Sequence, residues 1–282
     1  MTRTEPYANF GRGGSVKDAQ GDFDLSSIRP GSYFLVAHVT VKGTLYQTRQ
    51  PVTVTDSDVN GLRLVLTPGA TLKGVVRTKG SVDLSKMRIF LQPRNGVFFG
   101  PSSSPAVNPD GTFEFDSLAD GGYLVRVYGL PGNAYVQSAT LGEQDVLDSG
   151  FEVTNGEAPG STLKVVVSAN GARVGGTVLL NGKPFNSALV TLLPADASKL
   201  ASNWWFKSTT TDQYGNFELS GIRPGNYRLF AWEKIKPGEE REPDFLNQFK
   251  YQGQKLQIAP GAMLTVRLNA IPAGKIQAAE AR

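Results

Sequence analysis

Apolar and polar positions along this chain alternate with a period of two, in short runs broken by Gly, Pro, Asp and Asn. The run GNFELSGIRPGNYRLF, residues 215–230, shows the pattern most fully. Phe217 and Leu219 lie two apart and so share one face of a strand. After the turn, Tyr227, Leu229 and Ala231 face one way and Arg228, Phe230 and Trp232 the other. Helical spacing fits these positions much worse, so the run predicts two half-buried antiparallel strands. Nearly the same run occurs as GDFDLSSIRPGSYFLV at 21–36 and as GTFEFDSLADGGYLVR at 111–126. Gly21, Gly111 and Gly215 each precede a Phe (Phe23, Phe113, Phe217) by two, where a turn needs the positive φ that glycine adopts cheaply. Pro30-Gly31 and Pro224-Gly225 fit type II turns, with Pro setting φ and Gly supplying the left-handed position. The middle copy has Asp120-Gly121-Gly122 there, and Tyr33, Tyr123 and Tyr227 open the strand that follows.

Further strands are expected around each hairpin. TLKGVVRT (71–78) and RVGGTVLLNGKP (173–184) open the second and third copies, followed by RIFLQP (88–93) and ALVTLLP (188–194). Each copy closes with a pair: 52–54 with 62–66, 151–153 with 163–167, and 255–258 with 264–268. About seven strands per full copy is the content of a small β-sandwich. The copies stand 90 residues apart (21 to 111) and then 104 (111 to 215), which are domain-sized periods. The expected fold is all-β, in tandem Ig-like or transthyretin-like antiparallel β-sandwiches. The units are 1–70, 71–170 and 171–282, the last carrying an insertion at 233–253 and a C-terminal tail. Only 20 residues precede Gly21, against 39 from Leu72 to Gly111 and 41 from Val174 to Gly215. The first sandwich therefore lacks its opening strand and most of the next, MTRTEP being at best the tail of that second strand.

The segments VGGTVLLNGKPFNSALVTLLP and TTTDQYGNFELSGIRPGNYRLFAWE resemble the carboxypeptidase regulatory-like domain, a transthyretin-like, Cna-B-like sandwich found in tandem in bacterial exported and surface proteins. The resemblance covers 171–270 well and 71–170 moderately, and its motifs are turns and core positions. It implies a non-catalytic structural, spacer or binding module outside the cell. Some Cna-B-like members form a Lys–Asn isopeptide bond aided by a buried acid, for which Lys73 and Lys164 are candidates here.

Composition narrows the chemistry. Forty per cent apolar residues suffice for packed cores, and no cysteine is present for disulfides or thiolates. The net charge of +4 is uneven: 7 basic and 6 acidic residues in 1–70, 8 and 10 in 71–170, 14 and 9 in 171–282. No dense Lys/Arg run tracks phosphates, so nucleic acid is not an expected partner. No run of 18 apolar residues can span a membrane as a helix. MTRTEPYANF has no apolar core and does not read as a signal peptide, although a mature secreted chain lacks one too.

His38 is the single histidine, which excludes a two-His zinc site within one chain. It sits in YFLVAHVTV opposite the Tyr33 face. No nucleophile elbow, Walker loop or dinucleotide fingerprint occurs. No catalytic residue and no cofactor is expected. Asp56, Asp58 and Asn60 match the first half of a calcium loop, but Thr67 stands where a bidentate Glu is needed, and a plain turn explains the same residues. Trp204, Trp205 and Phe206 are the candidate ligand platform, because sugars stack on exposed rings and related sandwiches include starch-binding domains. Core or interdomain packing is the competing reading. The stretch 233–253 is expected to lay a short amphipathic turn of helix on the sandwich.

The expected function is a non-enzymatic structural protein of the cell surface or exterior, the periplasm included. It self-assembles as a homo-oligomer or polymer by strand complementation at the incomplete first sandwich, with the tail IPAGKIQAAEAR as one donor. A polysaccharide-binding module, or an accessory region of a larger exported enzyme or receptor, is the alternative.

Overall fold

The computed structural model describes residues 13–18, 20–42, 44–94 and 104–280. The expected tail of a second strand in MTRTEP lies outside them. Strand makes up 49% of the chain and helix 7%, so the protein is all-β. In the first copy, β1 (Gly31–Val41) and β2 (Thr44–Val54) form one long hairpin, and a short β3 (Thr67–Pro68) pairs with β2. The second copy holds β4 (Ala70–Lys79), β5 (Arg88–Pro93), β6 (Thr112–Leu118), β7 (Gly121–Tyr128), β8 (Tyr135–Leu141), β9 (Gln144–Asp145), β10 (Phe151–Val153) and β11 (Leu163–Ser168). The third holds β12 (Ala172–Leu180), β13 (Lys183–Pro184), β14 (Leu189–Pro194), β15 (Lys207–Thr210), β16 (Asn216–Ile222), β17 (Gly225–Trp232), β18 (Gln254–Ile258) and β19 (Met263–Asn269), with helices α1 (Pro243–Gln248) and α2 (Ala273–Glu280).

The second copy pairs its strands as β6-β4-β11-β8-β9 and β10-β7-β5, and one apolar core takes side chains from both sheets, among them Leu72, Phe113, Phe115, Val125 and Val165. The third repeats the plan with β16-β12-β19 against β15-β14-β17-β18 around Val174, Leu192, Leu219 and Leu229. The opening strand is thus an interior strand of one sheet in both copies, central to the trio that it forms with the Gly-x-Phe strand and the closing strand. It runs antiparallel to the Gly-x-Phe strand on one side and parallel to the closing strand on the other. These parallel pairs depart from the purely antiparallel expectation.

The hairpin corner recurs in all three copies. Gly21, Gly111 and Gly215 have φ of 92°, 87° and 75°. Six residues on, Ser27, Ser117 and Gly221 have φ of 58°, 59° and 60°. The tyrosine that follows donates its hydroxyl to the carbonyl four residues back: Tyr33 to Arg29 at 2.7 Å, Tyr123 to Ala119 at 2.8 Å, Tyr227 to Arg223 at 2.9 Å. The Tyr123 and Tyr227 rings are anchored in their cores while the hydroxyls keep polar partners, and the Tyr33 ring is half-buried. The left-handed residue is therefore the one at the end of the first strand, and the expected type II turns at Pro-Gly are corrected. Gly31 is outside the left-handed region and Gly225, at φ 158°, is far from the roughly +80° of that turn. Pro-Gly instead opens the next strand.

Two further expectations fail in the first copy, for one reason. Residues 22–26 and 62–66 form no strand. Their counterparts β6 with β11, and β16 with β19, flank a central strand, and no described residue of the first copy supplies one. Without it, an extended segment has no ladder to join. Both segments keep alternation in exposure: Phe23, Leu25, Leu62, Leu64 and Leu66 are half-buried and the residues between them exposed. Leu45 and Gln47 are the only buried side chains among described residues before Ala70.

The third copy differs in the opposite sense. Phe230 and Trp232, on the outer face of β17, are buried under Phe245, Leu246 and Phe249 from the 233–253 stretch. Ile276 of α2, 3% exposed, closes the same cluster. The tail is thus a docked helix, which corrects its casting as a strand donor.

Candidate functional site

The three aromatic candidates lie at the junction of the second and third copies. Trp204 packs on the core of the second copy and donates its indole N–H to the Leu147 carbonyl at 3.0 Å. Trp205 packs on the core of the third, 6.2 Å from the Tyr227 ring centroid. The two residues lie in the turn before β15 rather than on a strand, and this dipeptide puts one ring against each neighbouring core. Phe206 joins the outer cluster of the third copy, under the Arg241 guanidinium at 4.9 Å. All three are half-buried against protein.

Arg223 completes the junction. Its guanidinium stacks 4.6 Å from the Trp205 centroid and reaches back to the second copy, donating to the carbonyls of Val136 and Gln137, the latter at 3.1 Å. Asn133 of the second copy accepts from Gly221 N–H at 2.7 Å and donates to the Gly171 carbonyl. The first junction uses the matching corner: Gln47, 5% exposed, donates to the Ser117 carbonyl at 2.7 Å. The second and third copies are therefore each held at the left-handed corner, Ser117 and Gly221, by the copy before. Sequence reasoning missed Arg223, Asn133 and Gln47. The repeated Ile-Arg-Pro-Gly at 28–31 and 222–225 marked Arg223 as a corner residue, whereas single amides carry no pattern.

A cleft of about 300 Å³ opens at the second junction, lined by Gln92, Arg126, Tyr128, Trp204, Lys207 and Arg223 among others. Burial pushes Lys207 and Arg126 below their ordinary pKa values.

Elsewhere the candidates stand apart. Asp56, Asp58 and Asn60 are exposed in the loop after β2, and no group of three or more His, Cys, Asp or Glu able to hold a metal occurs among the described residues. Lys73 and Lys164 face solvent, which corrects them as isopeptide candidates, since that chemistry needs a buried lysine beside a buried acid. His38 lies exposed on β1. Among the described residues, no helix is long and apolar enough to cross a membrane.

No family model and no curated protein matches this chain. Among solved structures it is similar to the Bacillus anthracis TIE protein at 13% identity and TM-score 0.26, covering 85% of this chain. The chain spans 41% of that protein's length. The Streptococcal ancillary pilin gives 13% identity and TM-score 0.25, over 86% of this chain and 76% of the pilin. BcpA, the major pilin subunit of Bacillus cereus, gives 9% and 0.25, over 72% and 98%.

Proposed function

We propose that this chain is a non-enzymatic structural protein of the cell surface or exterior. Its sandwich copies form a spacer, and it assembles with a neighbouring molecule through the open first copy. One observation carries the reading: the first copy repeats the docking corner and both flanks of the central-strand slot, and no described residue fills either. Ser27 and Arg29, counterparts of Gly221 and Arg223, are exposed. The neighbour adds one strand, antiparallel to 22–26 and parallel to 62–66. Opposite Phe23 it carries a small residue. Gly74 pairs with Phe113, and a Cβ there would sit 2.0 Å from the ring; Gly176 takes the same place opposite Phe217. A head-to-tail contact of this kind grows a filament when its rotation does not close.

Light scattering on the purified chain tests this, with and without a peptide of residues 70–79, ATLKGVVRTK. Species larger than the 30.3 kDa monomer, dissolved by the peptide and resistant to a peptide with Leu at its glycine, support the reading. A monomer at every concentration that takes up neither peptide overturns it.

A further inference from the structure

We propose that the cleft between the second and third copies is a binding site for a small solute bearing an oxyanion, a carboxylate or a phosphate. This inference stands apart from the strand slot and rests on different residues. Three cationic side chains, Arg126, Lys207 and Arg223, converge on one concavity of about 300 Å³. Each is drawn in for its own structural reason. Arg126 alternates outward on β7 and is held by Gln92, which accepts from its Nε at 2.8 Å. Arg223 is fixed by the junction carbonyls and by stacking on Trp205. Lys207 opens β15 and reaches toward Gly221, half-buried, where it has no hydrogen-bond or ion-pair partner among the described residues.

No direct ion pair balances these charges among the described residues. The acids that act on the cleft are Asp148, felt by Arg126 and Arg223, and Asp145, felt by Arg223. Arg241 adds a further repulsive charge beside Arg126. The Nε of Arg223 is buried with no partner. A half-buried cation without an ion-pair partner is costly, because burial removes water that more distant acids only partly replace. An oxyanion in the cleft would supply both charge and acceptors, and charge-assisted bonds are the strong ones. The walls also carry two amides, Gln92 and Asn203, and three rings, Tyr128, Tyr135 and Trp204, which suit a hydroxylated body behind the anion. Because the cations come from both copies, the anion would also tie the copies together.

The test is calorimetric titration of the full chain with inorganic phosphate and, separately, with galacturonate, in low salt and at about 0.3 M salt, roughly twice physiological ionic strength. Binding is expected for at least one probe, weakened at least tenfold by salt and at least tenfold in Lys207→Met and in Arg126→Gln. Lys255→Met, on β18 away from the cleft, is the control and should bind like the parent. Galacturonate alone identifies a sugar carboxylate, and phosphate alone a phosphate group. Circular dichroism of each variant establishes that it has folded. Absence of heat from the parent with both probes overturns the proposal. So does equal binding by the parent and both folded variants, which would mean an anion held elsewhere.

Discussion

The first and third copies carry nearly the same sixteen-residue run, and they end in opposite states. In the third, Phe217 and Leu219 are buried in a ladder with β12, and even the outward-facing Phe230 and Trp232 are covered. In the first, Phe23 and Leu25 are half-buried and unpaired, and Phe34, on the outer face of β1, is 46% exposed. The turn glycine, the left-handed corner and the tyrosine hydrogen bond are alike in both. Local backbone geometry therefore forms without the sandwich, while burial and pairing require the central strand. A corner is closed by residues within about one turn of each other, at small entropic cost. A sheet needs a partner from 39 to 41 residues upstream in the complete copies.

Core truncation would break this comparison most severely. Phe217→Ala should cost about 3–5 kcal/mol, as for a buried aromatic, whereas Phe23→Ala should cost about 1 kcal/mol or less. Denaturant unfolding followed by tryptophan emission reads the third copy through Trp205 and Trp232, and its junction with the second through Trp204. Hydrogen exchange of β1 and β2 amides reads the first. Equal losses in the two would mean that the first copy closes its own core in solution.

A smaller effect separates the two tyrosine corners. Tyr227→Phe removes a hydroxyl from a ring that is 2% exposed and leaves the Arg223 carbonyl short of a donor. The expected loss is about 0.5–1.5 kcal/mol. Tyr33→Phe should cost only a few tenths, since water reaches that corner. Similar losses from both would show the first corner to be as dry as the third.

The subtlest difference is in pH dependence at the junction that only the complete copies share. Burial holds the Lys207 pKa below 10.5, so its charged form is penalised in the folded state. Between the folded pKa and 10.5 the unfolded chain binds more protons, and stability therefore rises with pH through that window. Below it the penalty is complete. Lys207→Met should be more stable than the parent near neutral pH, with the gap closing as pH rises toward 10.5. The difference between the two curves isolates this group from Tyr227, whose pKa burial raises and whose contribution is lost at alkaline pH. A gap independent of pH would mean that Lys207 is solvated.

Much of the fold was legible because it is local or periodic. Alternation at 71–78, 88–93 and 173–180 marks strands that pair as two-faced, half-buried elements do, and Gly21, Gly111 and Gly215 mark turns because few other residues tolerate positive φ. Leu62–Leu66 looked identical to its counterparts, since alternation reports the capacity to pair and says nothing of a partner. The candidate site was half-legible. Trp204-Trp205 stands out as a dipeptide, but which side of each ring meets protein depends on the neighbouring copy.

By itself, then, the sequence determined that this is a tandem all-β chain with three equivalent corners and an unequal first copy, because period, φ preference and spacing are properties of the chain itself. Only the tertiary structure decided that the closing strands run parallel to the opening ones, that the tail docks as a helix through Ile276, and that Arg126, Lys207 and Arg223 meet in one cleft. Those outcomes depend on which surfaces are left uncovered after the sheets close, and on side chains that lie far apart in the chain and become neighbours only through packing.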